Sequence, residues 1–62
     1  MEAAATAGAM HTIPDRDRLI IRALAELAYN WQGTETEEEA LDLLAEVAAE
    51  HGLEPVEAVR IA

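Results

Sequence analysis

The sequence predicts an all-α protein: a helical hairpin followed by a short third helix, packed with a second copy into a dimeric helical bundle. Three observations carry this expectation. Large apolar residues recur at three- and four-residue steps through two long stretches, the period of an amphipathic helix. Gly33 and Gly52 stand just past the ends of those stretches, where a helix favours a residue free to turn left-handed. The chain has 62 residues and no cysteine. Neither a disulfide nor a thiolate-held metal can therefore supplement a core that at this size buries only ~60% of the unfolded surface.

The elements follow in order. Residues 1–9, MEAAATAGA, hold no large apolar side chain, and a short helix with nothing to pack against does not recover its nucleation cost. Residues 1–11 are read as a disordered or fraying tail, and 12–62 as one small helical domain. The first helix is predicted over about 14–32. Pro14 suits a helix's first position, where its missing N–H costs nothing, and Asp15 and Asp17 suit the positive helix end. Ile20, Leu24, Leu27 and Trp31 form its buried stripe, with Leu19, Ile21, Ala23 and Ala28 widening it. The second helix is predicted over 35–51. Thr36 and Glu39 fit a capping box, and Thr34 with Glu37 is a competing register. Leu41, Leu44, Val47 and Ala48 form its apolar face, with Leu43 at the edge. Gly52 ends it, and Leu53 folds back on Val47 or Ala48 as in a Schellman ending. The third helix runs near 55–61, opened by Pro55, with Val56, Val59 and Ile61 as its apolar contacts. About eight residues do not form a stable helix alone in water, so it must dock on the other two.

Both long helices carry apolar arcs about 180–200° wide at ~100° per residue. That is more than one hairpin contact uses. Leu19, Ile21 and Leu43 lie at the margins without evident cover, which predicts self-association, most simply as a two-fold dimer. Trp31 is first the plug at the turn end of the hairpin and second a partner anchor, since tryptophan is enriched in binding hot spots. Tyr29 falls on the solvent arc near Arg18 and Arg22.

Charge narrows the partners. Thirteen acids face four arginines, lysine is absent, and the net charge is −9. That balance disfavours nucleic acid, whose phosphates demand basic residues, and anionic membrane surfaces. No apolar run approaches the ~18 residues of a membrane span, and no basic start leads into an apolar run as in a secretory signal. The expected setting is cytoplasmic. Glu38, Asp42, Glu46 and Glu50 stand at four-residue steps, stacking along a helix about 6 Å apart. Like charges so placed destabilise by about a few tenths of a kcal/mol per pair. Arg18 and Arg22 leaning across would relieve them, or a basic protein partner would.

Catalytic and cofactor chemistry finds no support. Serine is absent, which removes a Ser-His-Asp triad. The three glycines form no phosphate-cradling pattern, and ETEEE lacks the glycine-centred spacing of a calcium loop. His11 and His51 lie in different segments without a second ligand in a metal-binding pattern. His11 pairs at best with Asp15, and His51 suits the negative end of the second helix. No metal, no cofactor and no enzyme activity are expected.

From Leu44 onward, LAEVAAEHGLEPVEAVRIA resembles a helix-turn-helix motif over about a third of the chain. Val47, Ala48, Gly52, Leu53 and Ile61 stand where that motif has apolar, small, turn-glycine and packing residues. The resemblance implies a shape and a DNA-regulatory role. The sequence departs from it where Glu54, Pro55, Val56 and Glu57 replace polar or basic base-contacting residues. Ala58 also stands at a packing position, and no DNA-contact residue carries over.

The functional expectation is a small, acidic, non-enzymatic interaction or regulatory module, acting as a homodimer through the apolar surface of Leu19, Ile21, Leu43 and Trp31. The alternatives are an acidic inhibitor or nucleic-acid mimic that blocks a basic protein through Glu38, Asp42, Glu46 and Glu50, and a degenerate helix-turn-helix regulator.

Overall fold

A computed structural model describes residues 13–62. The expected tail over 1–11, which includes Met10 and His11, lies outside the described residues, as does Thr12. Three helices follow one another: α1 (Asp15–Asn30), α2 (Glu35–Glu50) and α3 (Pro55–Ile61). The first two form an antiparallel hairpin, and α3 docks across both. The hairpin and short third helix are as the periodicity predicts, with boundaries within two residues. No described helix is long and apolar enough to cross a membrane.

Which residues form the seam differs from the predicted stripe. Ile21 and Ala28 of α1 are buried, as are Ala40, Leu44 and Ala48 of α2. Ile20, Leu27 and Trp31, placed in the core by the spacing, are all at least a third exposed, and Trp31 is 53% exposed. Leu41, placed on the inner face of α2, is also exposed. Two stripes with the same period run along α1 and share Leu24. One is Ile20–Leu24–Leu27–Trp31 and the other Asp17–Ile21–Leu24–Ala28. Side-chain size favours the first. The contact between helices selects the second, because the separation of two helix axes depends on the side chains at their contact, and alanines at 28, 40 and 48 permit a close approach.

Ile21 is therefore a correction to the sequence reading. It is wholly enclosed within the single chain, at 0% exposure, and is not a marginal residue awaiting a partner. Around it and Leu44 gather Ile13, Ala48, Leu53 and Ala58, with Leu24, Val47 and Ala62 packed against the cluster. The apolar contacts predicted for α3 are corrected in the same way. Val56, Val59 and Ile61 are exposed, and Ala58 with the preceding Leu53 makes the buried contact.

The helix ends explain where the elements stop. Gly33 and Gly52 take φ of +80° and +71°. At the end of α2 the N–H of Leu53 donates to the Ala48 carbonyl (3.0 Å) and that of Gly52 to the Ala49 carbonyl (3.0 Å). This is the paired pattern of a Schellman ending, and it brings buried Leu53 back onto Ala48 as predicted. At the start of α2 Thr34 is the N-cap and Thr36 lies inside the helix, but the Thr34 hydroxyl makes no cap hydrogen bond, so neither predicted capping box forms. The Gly33 N–H donates to Oε1 of Glu37 (2.9 Å), while the Thr34 hydroxyl turns back to donate to the Trp31 carbonyl (2.6 Å). These bonds satisfy the N–H of Gly33 within the turn and add a second donor to the Trp31 carbonyl, which also accepts from the Thr34 N–H (3.3 Å). Pro14 sits one position before α1 and not at its first residue, and its carbonyl accepts from the Arg18 N–H (2.8 Å). The Glu54 N–H is met by Glu57 (3.3 Å) at the start of α3.

Two adjacent isoleucines give a sharp test of the seam. Ile21→Ala removes a fully enclosed side chain and is expected to destabilise by about 2–5 kcal/mol. Ile20→Ala, at the surface, is expected to cost under about 1 kcal/mol when denaturant melts are run at low protein concentration. Equal losses would mean that the seam is wrongly assigned. No atom lies within 4 Å of a Cβ built on Gly52. Gly52→Ala therefore costs only the left-handed backbone conformation, about 1 kcal/mol, readable as a lowered melting midpoint.

Candidate interaction surface and the open end of the hairpin

The seam divides the hairpin into two flanks. Helix α3 lies over one of them. There Ala25 and Ala28 of α1, Leu41 and Leu44 of α2, and Pro55, Val56 and Val59 of α3 line an open apolar groove of about 300 Å³. These positions fix which way round each helix faces. Stepping ~100° per residue away from Ala25 places Ile20, Leu24, Leu27 and Trp31 of α1 on the opposite flank. Stepping away from Leu41 places Thr36, Leu43 and Val47 of α2 there too. Among the described residues no third helix lies over this flank.

The second flank is apolar and open. Ile20, Leu27, Trp31 and Leu43 are exposed, while Leu24 and Val47 are half-buried. The four exposed side chains present on the order of 300–400 Å² of surface, about the size of the largest apolar patch on an ordinary monomer. None of the six is charged. The sequence-predicted surface residues are thus split. Trp31 and Leu43 share this flank, Leu19 is 58% exposed but points away from it along α1, and Ile21 is in the core.

The acidic row is solvent-facing. Glu38, Asp42, Glu46 and Glu50 are all exposed, and among the described residues none of them is in an ion pair. Arg18 does not lean across to them: its Nη2 lies 3.4 Å from Asp15 on its own helix. Because four residues advance about 40° beyond a full turn, the row winds from beside the α3 groove to the edge of the open flank and covers neither.

Sequence reading missed one contact, at the end of the hairpin away from the turn. Asp17 in the first turn of α1 meets His51, the residue after α2. The imidazole Nε2 donates to Asp17 Oδ2 at 2.8 Å, with both side chains mostly enclosed. Arg16 Nε donates to the other carboxylate oxygen at 3.3 Å. Glu50 lies alongside. The signal was present. Asp17 continues the Ile21–Leu24–Ala28 stripe one turn back, and His51 continues Ala40–Leu44–Ala48. In an antiparallel pair those two extensions face each other. The His51 hydrogen bond is the main cause that holds the Asp17 carboxyl below its ordinary value of 3.8; burial pushes next in the opposite direction, and the nearby Arg16 adds a smaller downward pull.

Helices α2 and α3 join through the Gly52 turn, with Ala48 and Leu53 buried as the helix-turn-helix resemblance implies. Ala58, which departs from that motif, is fully buried, while Ile61 is exposed. Helix α3 has seven residues, with Arg60 as its one basic side chain. The chain matches no protein family, no characterised protein and no solved structure, so its function must be argued from these surfaces.

The Asp17–His51 bond makes stability acid-sensitive in a defined direction. A carboxyl whose folded value lies below its unfolded value contributes stability that is complete above the unfolded value. That contribution is lost as pH falls through the folded one. The denaturation midpoint is expected to fall on acidification below about pH 4, and Asp17→Asn is expected to remove that part of the pH dependence. Parallel midpoint-against-pH curves for the two proteins between pH 6 and 2, in urea melts, would contradict the assignment.

Proposed function

We propose that this chain is a small, acidic, non-enzymatic interaction module that works through its open apolar flank and pairs there with a second copy of itself. The observation that carries this reading is the uncharged flank of Ile20, Leu24, Leu27, Trp31, Leu43 and Val47. Its apolar side chains lie on the side of the hairpin that α3 leaves uncovered. A chain of net charge −9 meets strong repulsion at most of its surface, and this flank is where two copies can approach without opposing carboxylates. Two hairpins joined face to face across a two-fold axis give a four-helix arrangement in which the same patch serves both partners. Trp31, at the turn end of the flank, then serves as an aromatic anchor, a role in which tryptophan is enriched. A regulatory role follows if other helical partners compete for the same face.

Sedimentation equilibrium from the micromolar to the millimolar range is the direct test, with a shift from monomer to dimer mass as the expected result. Leu43→Lys, within the flank, or Trp31→Lys, at its turn end, places a charge on the contact and is expected to raise the dissociation constant by at least about 100-fold, equivalent to ~2.7 kcal/mol. Helicity at low concentration should be unchanged. A monomer mass at every concentration would overturn the homodimer.

One observation favours a second reading. The exposed, unpaired row of Glu38, Asp42, Glu46 and Glu50 fits an acidic inhibitor that occupies the basic groove of another protein. That reading predicts binding to a basic, nucleic-acid-binding protein that weakens as salt rises, and its loss in the Asp42→Lys, Glu46→Lys double variant. Binding that survives the double variant would remove it.

A further inference from the structure

We propose that the open end of the hairpin binds a divalent first-row transition-metal ion, with zinc the best match, through Asp17, Glu50 and His51. One ligand atom from each, two carboxylate oxygens and an imidazole nitrogen, all lie within 4.8 Å of one another. They come from two elements that the seam holds in register: the first turn of α1 and the end of α2. Asp17 and His51 are mostly enclosed, so their positions are set by packing. Glu50 is exposed and free to swing towards them.

The donor set selects the kind of ion. One imidazole with two carboxylates suits zinc and its neighbours in the first transition row. Calcium takes six to eight oxygen ligands, and magnesium demands near-octahedral oxygen geometry. Electrostatics favour a cation at this place. The negative end of the α2 dipole here meets the positive end of α1, so the two dipoles largely offset. The attraction comes from the two carboxylates in a chain of net charge −9, with no basic residue in the last turn of α2 and Arg16 as the one nearby opposing charge. The supporting contact is also present. Arg16 holds Asp17 Oδ1 at 3.3 Å, which leaves Oδ2 turned to His51, the kind of outer contact that orients ligating carboxylates.

The required adjustment falls mainly on exposed Glu50, because the three ligand atoms now lie within 4.8 Å of one another and its oxygen must draw closer. Zinc–ligand distances of ~2.0–2.2 Å put tetrahedral donors roughly 3.3–3.5 Å apart. The 2.8 Å Asp17–His51 pair must open by about half an ångström. The metal takes the place of the proton on Nε2: a neutral imidazole changes tautomer and carries its proton on Nδ1, whereas an imidazolium releases one proton to solvent, so the ligand is the neutral ring in either case. Three protein ligands leave a fourth position for water. This proposal does not depend on the interaction reading, since the ligands lie at the end of the hairpin and work within one chain.

The test is calorimetric titration of zinc into the metal-stripped full-length chain in a non-coordinating buffer, with the His51 ring resonances followed by NMR. The expected result is one zinc per chain with micromolar affinity and shifted His51 resonances. His51→Ala should abolish binding, Glu50→Gln should weaken it about 10-fold, and His11→Ala should leave it unchanged. Glu50→Gln alters an exposed position and keeps the proposal testable if His51→Ala fails to fold. Three results would overturn it: no binding at millimolar zinc, binding retained in His51→Ala, or equal affinity for magnesium and calcium with Glu46→Gln as damaging as Glu50→Gln. The last would show a diffuse counterion cloud in place of a site.

Discussion

The close approach of α1 and α2 is the constraint on which the rest depends. Alanines at 28, 40 and 48 bring the two helices together, and Ile21 and Leu44 fill the space between them. Each fully buried side chain of that size contributes about 1.5–3 kcal/mol, and there are few of them, so each weighs heavily in a chain this short. The same closeness pushes the larger residues outward. Leu27, Trp31, Leu41 and Leu43 cannot enter a seam that small side chains have narrowed, so they line the two flanks instead. One flank carries α3 and the groove beneath it. The other is left open.

The distribution of charge follows the same division. The acids of α2 wind around its outer surface, and the six apolar positions of the open flank carry none. A chain with this net charge stays dispersed through its outer surface and still keeps one face on which another helix can lie. The acidic row and the apolar flank thus occupy different sides of the same hairpin.

The two ends of the hairpin are closed by different means. At the turn, backbone groups are met locally by Thr34 and Glu37. At the open end the closure is polar and long-range. It places a carboxylate beside the positive end of α1 and an imidazole beside the negative end of α2. Each is the residue type the adjacent helix dipole favours, and the antiparallel arrangement makes them neighbours. An apolar pair there would add to the core. A polar pair adds a group that responds to protons and has metal-binding chemistry.

Much was settled by sequence alone. The three helices, the glycines that end the first two, the Leu53 fold-back and Pro55 at the start of α3 are consequences of local rules: period, caps and backbone conformation act within a few residues. The exposed acidic row was legible for the same reason. What only the tertiary structure decided was which of two equivalent stripes on α1 faces inward. Both share Leu24 and both have helical spacing, so local pattern cannot choose between them. Steric fit between helices chose the one with Ile21 and Ala28, sent Trp31 outward and Ile21 inward, and thereby brought Asp17 against His51, 34 residues away. Contacts at that range are set by how two surfaces pack, and no window of one helix contains them.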